Sequence, residues 1–230
     1  PPSSRDRQLP PLMPKGIPSA TVSRLVIYLR VLTDLESEGV SRASSDHLAA
    51  EANVSAFQVR KDLAYFGSFG TRGSGYTVAT LKNELRRILG LTRPWRVIIV
   101  GMGRLGQALA AYPQLDQYDF KLVAGVDVDA SKVGSRIGDL PVHHLDDLHE
   151  LVAEQTVDIA FLAVPVDAAQ DATDALVRAG VPGILNFVPT VVTVPAHVTV
   201  ESVDFLAGLK RLAYFLQVAP HDGEREAAAG

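Results

Sequence analysis

Gly101, Gly103 and Gly106, in the run GMGRLG, are the residues of this chain whose type and spacing speak most directly of chemistry. They follow Trp95 to Val100, which is apolar apart from Arg96, and they precede a segment that reads as a helix opening at about Arg104. Between a buried strand and a helix, the first glycine turns the chain, the second lets a pyrophosphate approach the backbone, and the third lets helix and strand pack closely. A helix N-terminus then faces the phosphates, so Gly101, Met102, Gly103, Arg104, Leu105 and Gly106 form the expected cradle. The motif alone is weak evidence, and the next strand strengthens it. Phe120 to Val126 ends at Asp127, 26 residues after Gly101, where an acidic residue takes the adenosine ribose hydroxyls and repels a 2′-phosphate. The expected ligand is therefore NAD(H) rather than NADP(H), although Lys132 and Arg136 can still flank the adenosine and speak for the other choice. Ligands of such sheets sit at the carboxyl ends of the strands, which adds Val164, Pro165, Asn186 and Phe187 to the expected crevice.

A dehydrogenase also needs a proton-transfer group beside the nicotinamide, and none is evident. Of the six histidines, His143, His144 and His149 fall around the third strand and its helix, and His47 lies in the front half. His197 begins a strand, and His221 lies in the tail. Only about thirty residues follow the last strand, too few for a substrate domain on the usual domain-size scale. No catalytic residue and no metal site is expected. The chain has no cysteine, so any redox sensing must come through a bound nicotinamide rather than a thiol.

A second constellation lies upstream. In SRASSDHLAAEANVSAFQVRKDLAYFG, Ser44 or Ser45 and then Ser55 stand at helix starts, with Asn53 and Val54 in the turn between. There a hydroxyl satisfies an orphan amide, and two short helices joined by a tight turn make a helix-turn-helix. With Val59, Leu63 and Phe66 facing the core, Arg60 and Lys61 point outward beside Phe57 and Ala64. GSFGTRGSGYTV follows, rich in glycine and with Arg72 at its middle, and reads as a hairpin wing able to lie on phosphate or in the minor groove. The candidate DNA-binding set is Ser55, Phe57, Gln58, Arg60, Lys61 and Arg72, with Arg60 as the base reader, because a bidentate arginine to guanine supplies sequence choice.

The elements that must position these groups fit two domains. Net charge is −4 over 230 residues, which excludes a uniformly basic nucleic-acid coat protein, and the missing cysteines exclude a disulfide-built secreted module. The average conceals a division: residues 1–94 carry 13 Lys+Arg and 8 Asp+Glu, net +5, whereas residues 95–230 carry 9 and 18, net −9. Ahead of the helix-turn-helix, Val22, Leu25, Val26, Leu29, Leu32 and Leu35 recur at helical spacing from Ser19, and a helix from Val78 to Leu89 closes the front unit. Behind it, a helix from Asp146 to Glu154, a strand from Val157 to Val164, a helix from Ala168 to Ala179, and strands at Gly183–Phe187 and His197–Glu201 continue the alternation of a parallel sheet with helices on both faces. The uncharged stretch from Ala179 to Val200 is interrupted by prolines and glycine and reads as buried strands and turns. In the last helix, Phe205, Leu209, Leu212 and Leu216 form an apolar stripe that needs a groove on its own domain or on another subunit. The fold expected is α/β: a flexible arm at residues 1–18, a winged helix-turn-helix domain at 19–92, a Rossmann-like domain at 93–202, a terminal helix at 203–218 and a tail at 219–230. No signal peptide or membrane anchor is visible, and a cytoplasmic location fits the absence of cysteine.

With wing, fingerprint and apolar terminal helix in one chain, the sequence resembles the Rex family of redox-sensing bacterial transcriptional repressors. VRKDLAYFG, GTRGSGY, GMGRLG, DVDASKVG, LVRAGVPGILNF and the VDF helix carry the likeness, over about residues 17 to 218. The resemblance implies a homodimer that exchanges the terminal helix, a palindromic double-stranded operator, release of that operator when NADH binds, and competition by NAD. It further implies that Arg30, Tyr112 and Asp204 form a polar switch, and that Phe205 lies against the nicotinamide of the opposite subunit. Phe57 stands where the family usually has a small residue.

Overall fold

The computed structural model describes residues 17–69, 75–112 and 115–218, and the chain divides into two compact units, Pro1–Arg93 and Pro94–Gly230. The first unit contains α1 (Ser19–Ser37), β1 (Arg42–Ala43), α2 (Ser45–Glu51), α3 (Ala56–Ala64), β2 (Tyr76–Thr77) and α4 (Val78–Ile88). Ser44 and Ser55 cap α2 and α3, their hydroxyls accepting the N–H of His47 at 3.1 Å and of Gln58 at 3.2 Å, each satisfying a donor that the first turn leaves free. Asn53 takes the turn at φ 50°, a left-handed position that asparagine tolerates better than most residues.

The buried face of α1 is rotated from the expected stripe. Leu25, Leu32 and Leu35 are buried as expected, but Val26 is 55% exposed and Thr21, Tyr28 and Val31 take its place. This face packs in the core with Tyr28 and Val31, and the Tyr28 hydroxyl donates to Asp62 on α3 at 2.9 Å. Val59 and Leu63 are buried and Phe66 half-buried. The strand at Tyr76–Thr77 pairs antiparallel with Arg42–Ala43, a partner more than thirty residues upstream that the sequence does not reveal. Arg72 and the wing tip lie outside the described residues, as do the arm up to residue 16 and the tail from residue 219.

The second unit runs β3 (Trp95–Val100), α5 (Arg104–Ala110), β4 (Phe120–Asp127), β5 (Arg136–Ile137), β6 (Leu140–His144), α6 (Leu148–Gln155), β7 (Ile159–Leu162), α7 (Ala169–Ala179), β8 (Gly183–Asn186), β9 (Thr199–Ser202) and α8 (Phe205–Val218). Among the described residues the strands order as β5-β6-β4-β3-β7-β8-β9. Every neighbouring pair is parallel except β5 with β6. The pleat sorts the residues of β3. Ile98 and Val100 face a core completed by α6 and α7, while Val97 and Ile99 face one with Met102, Leu109 and Phe161. Helices thus cover both faces, which is why β3 is apolar from Val97 to Val100.

Several boundaries differ from the sequence expectation. The expected helix at Asp146 begins as a 3-10 turn, Leu145–Asp147, before α6, and the last strand starts at Thr199 rather than His197. The short β5 returning along β6 has no signal in the sequence pattern. The stretch expected as buried strands and turns is only partly so: Ala179 still belongs to α7 and Val191, in the loop between β8 and β9, is 94% exposed, and no described helix is long and apolar enough to cross a membrane.

Candidate nucleotide and DNA sites

Strand order reverses at β3, whose neighbours β4 and β7 lead to opposite halves of the sheet, and a crevice is expected outside the carboxyl ends at such a point. The glycine loop occupies it. Gly101 adopts φ +95°, and a Cβ there would lie 2.5 Å from the Ala163 carbonyl oxygen. Gly106 packs so closely that its Cβ would sit 2.0 Å from the Gly101 oxygen. At Gly103 a Cβ would meet nothing within 4 Å. The first and third glycines are therefore required by the protein's own packing, and the second stands beside open space where a phosphate can approach. Arg104 and Leu105 are exposed and Met102 is buried, where its Sδ would touch a Cβ on Gly125 at 2.7 Å.

Asp127 closes the other side of the loop. Its Oδ2 accepts the Met102 N–H at 2.8 Å and the Lys132 ammonium at 3.0 Å, and its Oδ1 accepts the Asp129 N–H at 2.9 Å. Burial pushes this carboxyl up, but the Asp129 amide, the Lys132 ammonium and the Met102 amide together hold it below the usual carboxylate range. It is therefore an anion at neutral pH, and Lys132 a cation whose pKa its bond to Asp127 raises. Arg136 donates to the Asp139 carbonyl. The cradle fits a dinucleotide: backbone and open space for the pyrophosphate, and a fixed anion at the adenosine end.

The remaining crevice residues divide. Val164 and Phe187 are half-buried and Pro165 exposed, and Phe187 stacks edge-on against Phe161 with ring centres 5.6 Å apart. Asn186 is the last residue of β8. It is fully buried, its amide donating to the Thr190 carbonyl and its oxygen accepting the Val188 N–H, both at 2.9 Å. Its side chain thereby ties the end of β8 to the loop that follows. Phe205 is 67% exposed at the head of α8. Asp204 caps that helix, its carboxylate accepting the Ala207 N–H at 2.9 Å. Tyr112 is exposed beyond α5, and among the described residues no hydrogen bond joins it to Asp204. Arg30 lies in the other unit, in a cleft of 220 Å³ with Asp34, Glu38, His47 and Glu51.

On α3, Phe57 is 68% exposed, and Arg60 and Lys61 are exposed as the helical spacing predicts. Arg60 donates to the Ser45 hydroxyl at 2.9 Å. Ser55 caps the helix, and the Gln58 amide donates to Asp62 at 2.8 Å. Asp62 is the residue that sequence reasoning missed. It is fully buried and also accepts from Thr21 at 3.2 Å, from Tyr28, and from two nitrogens of Arg24 at 2.6 and 2.7 Å. Burial pushes its carboxyl up, and the bonds from Arg24, Gln58 and Tyr28 outweigh that and hold it low. Burial and the bond to Asp62 push the Tyr28 hydroxyl well above its usual value. The Asp62 partners Thr21, Arg24 and Tyr28 share one face of α1.

Both units have counterparts among known proteins. The family model described as "CoA binding domain" matches residues 92–190, and that described as "Putative DNA-binding protein N-terminus" matches residues 16–64. The redox-sensing transcriptional repressor Rex of Thermus thermophilus is 56% identical over 86% of this chain and 93% of its own length. The Rex of Deinococcus radiodurans is 50% identical over 91% and 97%. Among solved structures, RSP in complex with β-NAD+ and operator DNA superposes with a TM-score of 0.84 at 36% identity, covering 93% of this chain and 99% of that one. RSP in complex with β-NADH gives 0.80 at 34% identity, covering 94% and 100%. Similarity of this degree over nearly the whole length, reaching from α3 through the glycine loop to α8, makes the chain a member of the Rex family.

Proposed function

We propose that this chain is a transcriptional repressor that senses the NADH/NAD ratio, binding an inverted-repeat operator as a homodimer and releasing it when NADH occupies the cradle. The observation that carries this reading is the open space at Gly103 beside a fixed anion at Asp127, in the same chain as a helix that exposes Phe57, Arg60 and Lys61. The solved RSP complexes, one with β-NAD+ and operator DNA and one with β-NADH, support it. When bound, the nicotinamide supplies a ring whose charge differs by one between its oxidised and reduced forms. This chain's residues supply the cradle and, in Phe205, an apolar surface that favours the neutral ring.

The domain limits at 92/93 and 202/203 belong to the same reading. α8 supports a second copy. Phe205, Leu209, Leu212 and Leu216 are all more than half exposed, and so contiguous an apolar helix face is unusual on a monomer. In this reading the helix is exchanged with that of the partner, and Arg30, Tyr112 and Asp204 are the polar groups that rearrange. The protein acts in the cytoplasm and is not an enzyme.

The test is an operator gel-shift at fixed salt. NADH at low micromolar concentration or below weakens a complex containing two chains per duplex, NAD+ does not, and absorbance at 340 nm stays constant with carbonyl compounds present. Gly103→Leu folds normally, because nothing crowds that position, yet its operator complex ignores NADH. A Gly103→Leu complex that still responds removes the site assignment, and a wild-type complex indifferent to both nucleotides removes the function.

A further inference from the structure

The strand end that reads the adenosine carries a second acid. β4 finishes at Asp127, and the chain turns through Val128, Asp129, Ala130 and Ser131 to Lys132. A carboxylate oxygen offers about two lone-pair sites. Met102 and Lys132 fill those on Asp127 Oδ2, and the Asp129 N–H takes one on Oδ1, which leaves a single acceptor position. Lys132 also reaches Asp129, Nζ to Oδ2 at 3.4 Å, so one of its N–H donors remains. One acceptor beside one donor is complementary to a vicinal diol, whose hydroxyls each donate and accept.

Asp129 is itself held in place: its Oδ1 accepts the Ser131 N–H at 2.9 Å and the Ser131 hydroxyl at 2.6 Å. With two carboxylates around one ammonium, the cluster is a net anion. A phosphate monoester adds about −1.5 to −2 charge at pH 7, and it needs a cation that is not already doubly paired. Lys132 is the cation bound to Asp127, and the more exposed Asp129 holds it from one side while the buried Asp127 holds it from the other.

We propose that Asp129 is a specificity-determining residue, which keeps Lys132 from pairing with a 2′-phosphate so that NADP(H) is rejected by two carboxylates rather than by Asp127 alone. This rests on reading the Gly101–Gly106 loop as the nicotinamide-nucleotide site. Asp127 is unsuitable for the test, because it is buried and fixes the Met102 backbone. Asp129 is exposed, and Asp129→Asn keeps an oxygen for both Ser131 bonds while removing the charge.

The experiment titrates NADH and NADPH into the full chain by nucleotide fluorescence, for the wild type, Asp129→Asn, and Asp129→Asn combined with Lys132→Ala. The ratio of NADPH to NADH affinity rises about tenfold in the single variant, the scale of one additional charge-assisted hydrogen bond, and the rise disappears in the double variant. An unchanged ratio in Asp129→Asn overturns the proposal, because Lys132 is then not restrained by that acid. A rise that persists without Lys132 also overturns it, since the effect is then general repulsion. A wild-type chain that binds neither nucleotide overturns the proposal together with the site reading beneath it, whereas wild-type NADH binding with an unresponsive ratio overturns the proposal alone.

Discussion

Asp62 joins α3 to α1 through a single buried carboxylate, and its neighbours decide what its loss costs. Arg24 is 21% exposed at its side chain, so deleting the acid leaves a partly buried guanidinium and the buried Tyr28 hydroxyl without their acceptor. Breaking a buried pair by removing one partner costs about 3–5 kcal/mol, a large part of the roughly 5–15 kcal/mol that stabilises a domain. Asp62→Ala should therefore lower the melting temperature of the first unit sharply by circular dichroism, whereas Lys61→Ala next to it should barely move it. The pH dependence has a definite sign. The folded-state pKa lies below the ordinary 3.8, so the contribution is complete above that value and is lost as pH falls through the lower folded one. Wild-type stability should fall across that acid window, and the gap between wild type and Asp62→Ala should narrow with it.

At the scale of elements, α3 shows what a helix can and cannot disclose in sequence. Its outward residues were legible because the period of 3.6 turns Arg60 sideways and Lys61 outward when Val59 and Leu63 face the core, and the serine caps of α2 and α3 follow from local hydrogen-bonding alone. In the second unit the limits of β3 and the glycine loop were legible for the same reason, since strand, turn and helix start are all local. Asp62 was not, because an acid beside Arg60 and Lys61 reads as one more solvated charge, and its burial depends on Thr21, Arg24 and Tyr28 from a helix about forty residues earlier. The β1–β2 pairing and the inward amide of Asn186 were hidden likewise, being set by partners that no local pattern announces. In the protein alone Arg60 donates to Ser45, an exposed bond that costs little to exchange for a base edge. Arg60→Ala should relax preference at one operator position by about 1–3 kcal/mol. Lys61→Ala should weaken all sequences alike and reduce the slope of log affinity against log salt by about one. A salt series on operator and scrambled duplexes separates the two, and identical behaviour of the variants would mean that α3 does not lie in the groove.

Across the whole molecule the charge division acquires a use. The first unit carries net +5 for a polyanion and the remainder carries −9, so the acidic unit repels duplex DNA and leaves its contact to the basic one. Gly101–Gly106 and Arg60 belong to different units, and a nucleotide that does not itself compete with DNA alters DNA affinity only by binding two arrangements of the protein unequally. Such coupling is reciprocal in equilibrium affinity. If NADH weakens operator binding about thirtyfold, saturating operator must weaken NADH binding about thirtyfold, which is about 2 kcal/mol of coupling at about 1.4 kcal/mol per factor of ten. Fluorescence titration of NADH with and without excess operator measures one side, and the gel-shift measures the other. Direct competition between nucleotide and DNA for one surface gives a different outcome, because the apparent NADH Kd then rises without limit as operator is added. A plateau at the factor seen from the DNA side is the signature of two linked sites, and its height states how far the two arrangements differ in free energy.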